Sequence, residues 1–269
     1  MTTTRTLAVP GARLHYEVRG TGPVLVIMGS PMDAAAFAPI AEAMASDHTV
    51  VTLDPRGISG SELDDPKQES TPDLRADDVA AILDDLGVER ADVLGSSGGA
   101  VTALALVTRH PNRVGTVVAH EPPLLELLPD AAERRAATDD IVATFHRDGI
   151  GAAWMKFMGS AGFEADDEGA PVEAPEEPSL QDLANSARFF AYELQATTRY
   201  VPDVAALTAG PARVVVGLGK ESGKLDTFDT SKALAEVLGT QTVEFPGDHG
   251  GFIGETEDFA ATLRKVLAG

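Results

Sequence analysis

The chain has no cysteine. Disulfides, thiolate metal sites and a cysteine nucleophile are thereby excluded. Positive charge is scarce: 21 lysines and arginines stand against 42 aspartates and glutamates, a formal net charge of −21. A field of that sign repels polyanions, which argues against nucleic acid and anionic membrane as partners. No apolar run approaches the roughly 20 residues that a membrane-spanning helix needs. The first residues, Met1-Thr2-Thr3-Thr4-Arg5, lack the apolar core of a signal peptide, so a cytoplasmic location is expected. What is present, 269 residues of which 43% are hydrophobic, suits one large α/β domain with an insertion.

The apolar pattern sets the organisation. Residues 6–18 read as two short strands joined at Pro10-Gly11, a hairpin at a sheet edge. Residues 24–28 (VLVIM) and 49–53 are continuous apolar runs, as strands buried on both faces require. Helices are expected at 34–45, with Asp33 as a cap, and at 71–86, where Thr71-Pro72 supply cap and first-turn proline. Further strands fall at 91–94 and 114–119, and the helix between them ends near His110-Pro111. Strands alternating with helices predict right-handed crossovers and a mostly parallel sheet. The rhythm stops after Pro122. Residues 134–146, 152–158 and 180–198 look helical, and 164–177 read as an acidic, proline-bearing loop. It resumes with strands at 212–218 and 242–245 and helices at 230–238 and 257–267. The expected layout is an α/β core over 1–121 and 210–269, with a helical insertion over 122–209.

The chemistry is concentrated around residues 91–110. Strand, glycine-rich turn and helix surround Gly95-Ser96-Ser97-Gly98-Gly99. That context gives a Gly-x-Ser-x-Gly string its meaning, because a serine at such a turn is exposed in a strained backbone. Only the frame centred on Ser97 has glycine on both sides, Gly95 and Gly99, so Ser97 is the expected nucleophile. A serine hydroxyl needs a base, and the base needs an acid to orient it. His249 lies in Pro246-Gly247-Asp248-His249-Gly250-Gly251-Phe252, directly after the last strand, on the sheet edge that carries the turn. The other five histidines have weaker placements; His120 merely adjoins a strand end. Three carboxylates lie on the right edge for the acid: Glu121, Glu221 and Asp226. The expected oxyanion donors are the backbone N–H groups of Gly98 and of Ser30, in the loop after 24–28.

Together these motifs resemble the α/β-hydrolase superfamily over essentially the whole chain. The turn at 95–99, the loop Asp54-Pro55-Arg56-Gly57 with Ser59-Gly60-Ser61, and Gly247-Asp248-His249-Gly250 occur in the family's order. The resemblance implies an eight-stranded sheet, antiparallel only at its second strand, with helices on both faces and a helical cap (lid) after the sixth. Two features depart from it. Met28-Gly29 stands where many members have His-Gly. Lys220, in Gly217-Leu218-Gly219-Lys220, occupies the place of the usual acid after the seventh strand. The lysine moves the acid to Glu121, with Glu221 as the alternative. An acid after the sixth strand resembles haloalkane dehalogenases and zearalenone-type lactonases. Dehalogenases and epoxide hydrolases use an aspartate nucleophile, so Ser97 favours the lactonase arrangement.

The resulting expectation is a cofactor-independent serine hydrolase of small carboxylic esters or lactones, with no metal. Trp154, Met158, Phe189 and Tyr192 are the expected substrate-pocket residues, with Met155, Phe157 and Phe190 as further candidates. A perhydrolase or haloperoxidase on the same triad and a non-catalytic hydrolase-fold receptor or scaffold are the alternatives. Self-association into a homodimer stays open.

Overall fold

The structure is a computed structural model and describes residues 2–163 and 178–269. The acidic stretch 164–177 lies outside the described residues. The strands are β1 (Thr3–Val9), β2 (Ala12–Arg19), β3 (Val24–Met28), β4 (Thr49–Leu53), β5 (Glu62–Leu63), β6 (Ala91–Ser96), β7 (Val114–His120), β8 (Arg213–Gly219) and β9 (Thr242–Phe245). They form one sheet in the order β1-β2-β4-β3-β6-β7-β8-β9, with β5 paired to β2. Every pair from β4 to β9 is parallel, and β2 is antiparallel to each strand it touches. The two-residue β5 is a ninth strand beyond the expected eight, too short to leave a period in the sequence.

Alternation along the central strands explains why their apolar runs are continuous. Val26 and Met28 face one core, with Val93, Val117 and the helices α2 (Pro72–Asp85) and α3 (Gly98–Arg109). Leu25 and Ile27 face the other, with Leu94, Val118, Phe245 and Phe259. That second core is covered by α1 (Ala38–Met44), which begins after a 3₁₀ turn at Ala35–Phe37, and by the C-terminal helix. Helix α3 is apolar all round because it is buried all round: every residue from Gly98 to Val107 is inside. Thr71 caps α2, accepting from the Leu74 N–H at 3.2 Å, whereas Asp33 accepts from the Ala36 N–H at 3.2 Å in the 3₁₀ turn, and α1 itself starts later than expected, at Ala38, without a side-chain cap.

Between β7 and β8 the described residues form helices: α4 (Ala131–Asp148), α5 (Ile150–Ala161), α6 (Leu180–Tyr192), α7 (Leu194–Thr198) and α8 (Val204–Ala209). They share a small core of Ile141, Val142, Ala153, Phe189, Phe190 and Leu194. The single helix expected over 180–198 is two. The Ser70 N–H takes the Tyr192 carbonyl at 2.9 Å, and the buried Glu193 lies 3.4 Å from the Arg75 guanidinium. That is a tertiary cause with no local signature. Helices α9 (Asp226–Val237), α10 (Gly251–Gly254) and α11 (Thr256–Leu267) complete the chain. Among the described residues, no helix is long and apolar enough to cross a membrane.

The loop after β4 braces the site. Buried Asp54 accepts from the N–H groups of Ala34 and Gly60, both at 2.8 Å. Arg56 is buried with Asp78 in a two-pronged ion pair at 2.7 and 2.5 Å. Ser59 donates to Asp33 at 2.6 Å, and Ser61 donates to the Asp54 carbonyl at 2.7 Å. These bonds tie the loop after β3, which carries Ser30, to its neighbour.

Candidate active site

The sheet register brings the site together. Met28 pairs with Gly95, Gly95 with Ala119, and Ser96 with His120. The residues that follow each strand, Ser30, Ser97 and Glu121, therefore emerge along one edge. Ser97 stands between β6 and α3 with φ 55° and ψ −124°, a conformation that side chains rarely adopt. Its N–H donates to the His120 carbonyl at 2.9 Å, and its carbonyl accepts from the Ala100 N–H at 2.9 Å. The flanking glycines are required by contact. A Cβ on Gly95 would lie 2.4 Å from the Gly99 carbonyl oxygen, and one on Gly99 would lie 2.3 Å from that of Met28. Ser96 points inward instead, its Oγ 3.1 Å from His120 Nδ1, while Ser97 lines a cavity.

Glu121 directly follows β7 with φ 50° and has no exposed surface. All of its hydrogen bonding is internal. Oε1 accepts from the Gly219 N–H at 2.7 Å; Oε2 accepts from the Thr227 hydroxyl at 3.0 Å and lies 2.5 Å from His249 Nδ1. Burial pushes the Glu121 carboxyl up, but the His249 hydrogen bond and the neighbouring imidazoles outweigh it and hold the acid at about 2. It is ionised at any neutral pH. The β8 edge, where Lys220 replaces the usual acid, thus serves Glu121 through a backbone donor.

Glu221 and Asp226 are not brought against His249. Glu221 is exposed, and its backbone N–H holds the Gly247 carbonyl of the histidine loop at 2.9 Å, while the ion pair to His249 comes from Glu121. Asp226 pairs with Arg134 of α4 instead.

His120, given little weight from the sequence, lies at the centre of this edge. It is fully buried, its ring 6.3 Å from that of His249 and inclined to it by 26°, with Phe245, Phe252 and Phe259 edge-on around it. Burial lowers its pKa to about 4, so it is neutral near pH 7. Its adjacency to Glu121 was the only sequence signal that could have singled it out.

Ser97 and His249 open into a cavity of about 180 Å³. Ser30 and Gly98 line it beside them, and a Cβ on Gly98 would lie 2.7 Å from the Ser30 carbonyl oxygen. Trp154, Met158 and Phe189 line it, as does Phe157; Phe163, Leu125 and Ile141, not anticipated, line it too. Tyr192 does not. It ends α6 on the side facing the loop at 57–66, under the Arg188 guanidinium at 4.7 Å from its ring centre. Phe190 packs in the core of the helical segment, and Met155 is 75% exposed. Among the described residues, no cluster of three histidine, aspartate or glutamate side chains could hold a metal.

A parallel sheet of this order, with a strained serine at a strand-to-helix turn and a histidine–carboxylate pair on the same edge, is the architecture of a hydrolase. A sequence model of the alpha/beta hydrolase fold matches residues 22–163. An uncharacterised hydrolase of Bacillus subtilis, YraK, is 35% identical over 97% of this chain and 95% of its own length. The chain belongs to the α/β-hydrolase family. A zearalenone hydrolase of Bionectria ochroleuca is 32% identical over 49% of this chain and 53% of its own. An esterase from Exiguobacterium antarcticum shares the fold over the full length of both chains, with a TM-score of 0.76 at 20% identity.

Proposed function

We propose that this protein is a serine hydrolase of carboxylic esters or lactones, with Ser97, His249 and Glu121 as its triad. The observation that carries the reading is the 2.5 Å contact of His249 Nδ1 with the buried Glu121, on the cavity that Ser97 also lines. A carboxylate at Nδ1 fixes the tautomer, so that Nε2 keeps the lone pair that takes a proton. Ser97 Oγ attacks the acyl carbon as its proton passes to His249 Nε2. The resulting oxyanion is held by the N–H groups of Gly98, at the start of α3, and Ser30. Collapse breaks the bond to the leaving oxygen, which takes the proton from His249. Water then gives a proton to His249, attacks the acyl-enzyme and releases the acid, and the proton returns to Ser97.

The described helices between β7 and β8 form the cap in this reading, and their Trp154, Phe157, Met158 and Phe189 form the apolar wall. The expected substrate is small, and neither metal nor organic cofactor enters any step. The likeness to a zearalenone hydrolase over half the chain supports including lactones with open-chain esters. Hydrolysis of short-chain p-nitrophenyl esters is the test. Ser97→Ala is expected to lose on the order of 10⁴-fold or more in kcat; equal activity in that variant would remove Ser97 as nucleophile.

A further inference from the structure

The fixed charge of the cavity is one-sided: among its described lining residues there is a carboxylate and no ammonium or guanidinium. Aromatic and aliphatic side chains make most of its wall; away from Ser30, Ser97 and His249 the polar exceptions are Thr138, Ser160, Thr197, Thr198, Asp226 and Thr227. Three of these have already committed their only protons. The Thr138 hydroxyl donates to the Arg134 carbonyl at 3.1 Å, that of Thr198 to the Leu194 carbonyl at 2.9 Å, and that of Thr227 to Glu121 at 3.0 Å. What they offer a ligand is lone pairs. Asp226 adds a carboxylate. Its partner Arg134 is shared with Asp130, at 2.9 Å, so one guanidinium serves two carboxylates. Among the described residues that line the cavity, none is lysine or arginine. The whole chain, at −21, adds a field of the same sign.

We propose that the substrate portion held in this cavity is uncharged, and that Asp226 is a specificity-determining residue that excludes acyl or alcohol groups bearing a second carboxylate. This rests on the hydrolase reading above. An anion entering the cavity would leave its hydration shell for a mostly apolar wall without a lysine or arginine and meet a like charge. A neutral chain of the same length loses neither. The selection is therefore by charge, not by size.

Methyl pentanoate and monomethyl glutarate test it, because they differ in exchanging a terminal methyl for a carboxylate. In the wild-type protein, kcat/KM for methyl pentanoate should exceed that for monomethyl glutarate by on the order of tenfold or more, as one like-charge contact in a partly desolvated site implies. Asp226→Asn should narrow the ratio several-fold. Added salt should narrow it in the wild type as well, which keeps the test available if the variant folds poorly. Binding provides a readout independent of turnover: Trp154 lines the cavity and is the only tryptophan in the chain. In Ser97→Ala, its fluorescence should respond to methyl pentanoate at lower concentration than to monomethyl glutarate. If neither ester is cleaved but this preference appears, the hydrolase reading fails and the charge selection stands. Equal affinity, no affinity for either, or equal kcat/KM overturns the charge selection.

Discussion

Glu121 combines two costs, a left-handed backbone and complete burial of a charge, and both are offset locally. Three donors converge on its carboxylate, from the Gly219 backbone, Thr227 and His249. A hydrogen bond to a charged group is worth about 1.5–3 kcal/mol, so the set can balance a desolvation of several kcal/mol. In the proposed triad, Glu121→Gln keeps the shape but cannot hold the imidazole in its working tautomer or stabilise the imidazolium. A loss on the order of 10³–10⁴-fold in kcat/KM is expected for short-chain p-nitrophenyl esters, against little change for Glu221→Gln. The opposite ranking would return the acid to the β8 edge. His120 gives a second prediction at this scale. Its pKa falls from an ordinary 6.5 to about 4 on folding. Between those values the unfolded chain binds a proton that the folded one refuses, so stability drops as pH falls from about 6.5 to 4. Above 6.5 neither state binds it, and the effect vanishes. A shift of this size corresponds to about 3 kcal/mol. His120→Gln should flatten that part of the curve of urea-unfolding free energy against pH; an unchanged slope would assign the acid sensitivity elsewhere.

At the scale of elements, the site depends on how closely α3 approaches β3 and β6. Gly99 sits against the Met28 carbonyl, and Gly95 against Gly99. Gly99→Ala would force α3 away from β3 and shift Ser97 relative to Ser30. A loss of about 1–3 kcal/mol in chemical denaturation is expected from the overpacking, together with a fall in kcat larger than the change in KM; unaltered stability would mean that the two elements can separate freely. This segment was also the most legible in the sequence, because strand, turn and helix are each specified by neighbours in the chain. The central strands were legible for a similar reason, since burial on both faces makes the apolar run continuous. The break at Glu193 was not, because it depends on Ser70 and Arg75, distant in the chain. Tyr192 was misplaced for another reason: it shares the unbroken α6 with Phe189, but its ring packs under the Arg188 guanidinium on the side facing the loop at 57–66. Glu121 and Glu221 each follow a strand on the correct edge, and no periodicity separates them. Lys220 at the usual position was the signal, and it works only against a family pattern. Short elements such as β5 and α8 fall below the length at which a period can be read.

For the whole molecule, the scarcity of cations has a structural counterpart. Most described arginines are engaged with carboxylates: Arg109 with Asp77, Arg113 with Asp84, Arg135 with Glu126 and Arg264 with Asp47 are examples. These pairs are largely exposed, and exposed ion pairs contribute little to stability. The carboxylates outnumber the cations two to one, 42 to 21, and the surplus repels itself in the compact state more than in the expanded chain. Salt acts on both contributions with opposite sign. It weakens the pairs, whose charges lie in contact, and screens the surplus, whose charges are spread over the surface. Screening is most effective at separations beyond the Debye length, which shrinks from about 30 Å at 0.01 M to about 8 Å at 0.15 M. That range spans the spacing of surface carboxylates but not that of a contact pair, so relief of repulsion should win. The melting temperature is expected to rise across that interval of sodium chloride at neutral pH, by several degrees if about 1 kcal/mol of repulsion is removed. A fall would mean that the exposed ion pairs contribute more than the surplus charge costs. A matched titration at pH 5 discriminates further: as the carboxylates begin to protonate, the same salt interval should raise the melting temperature by less.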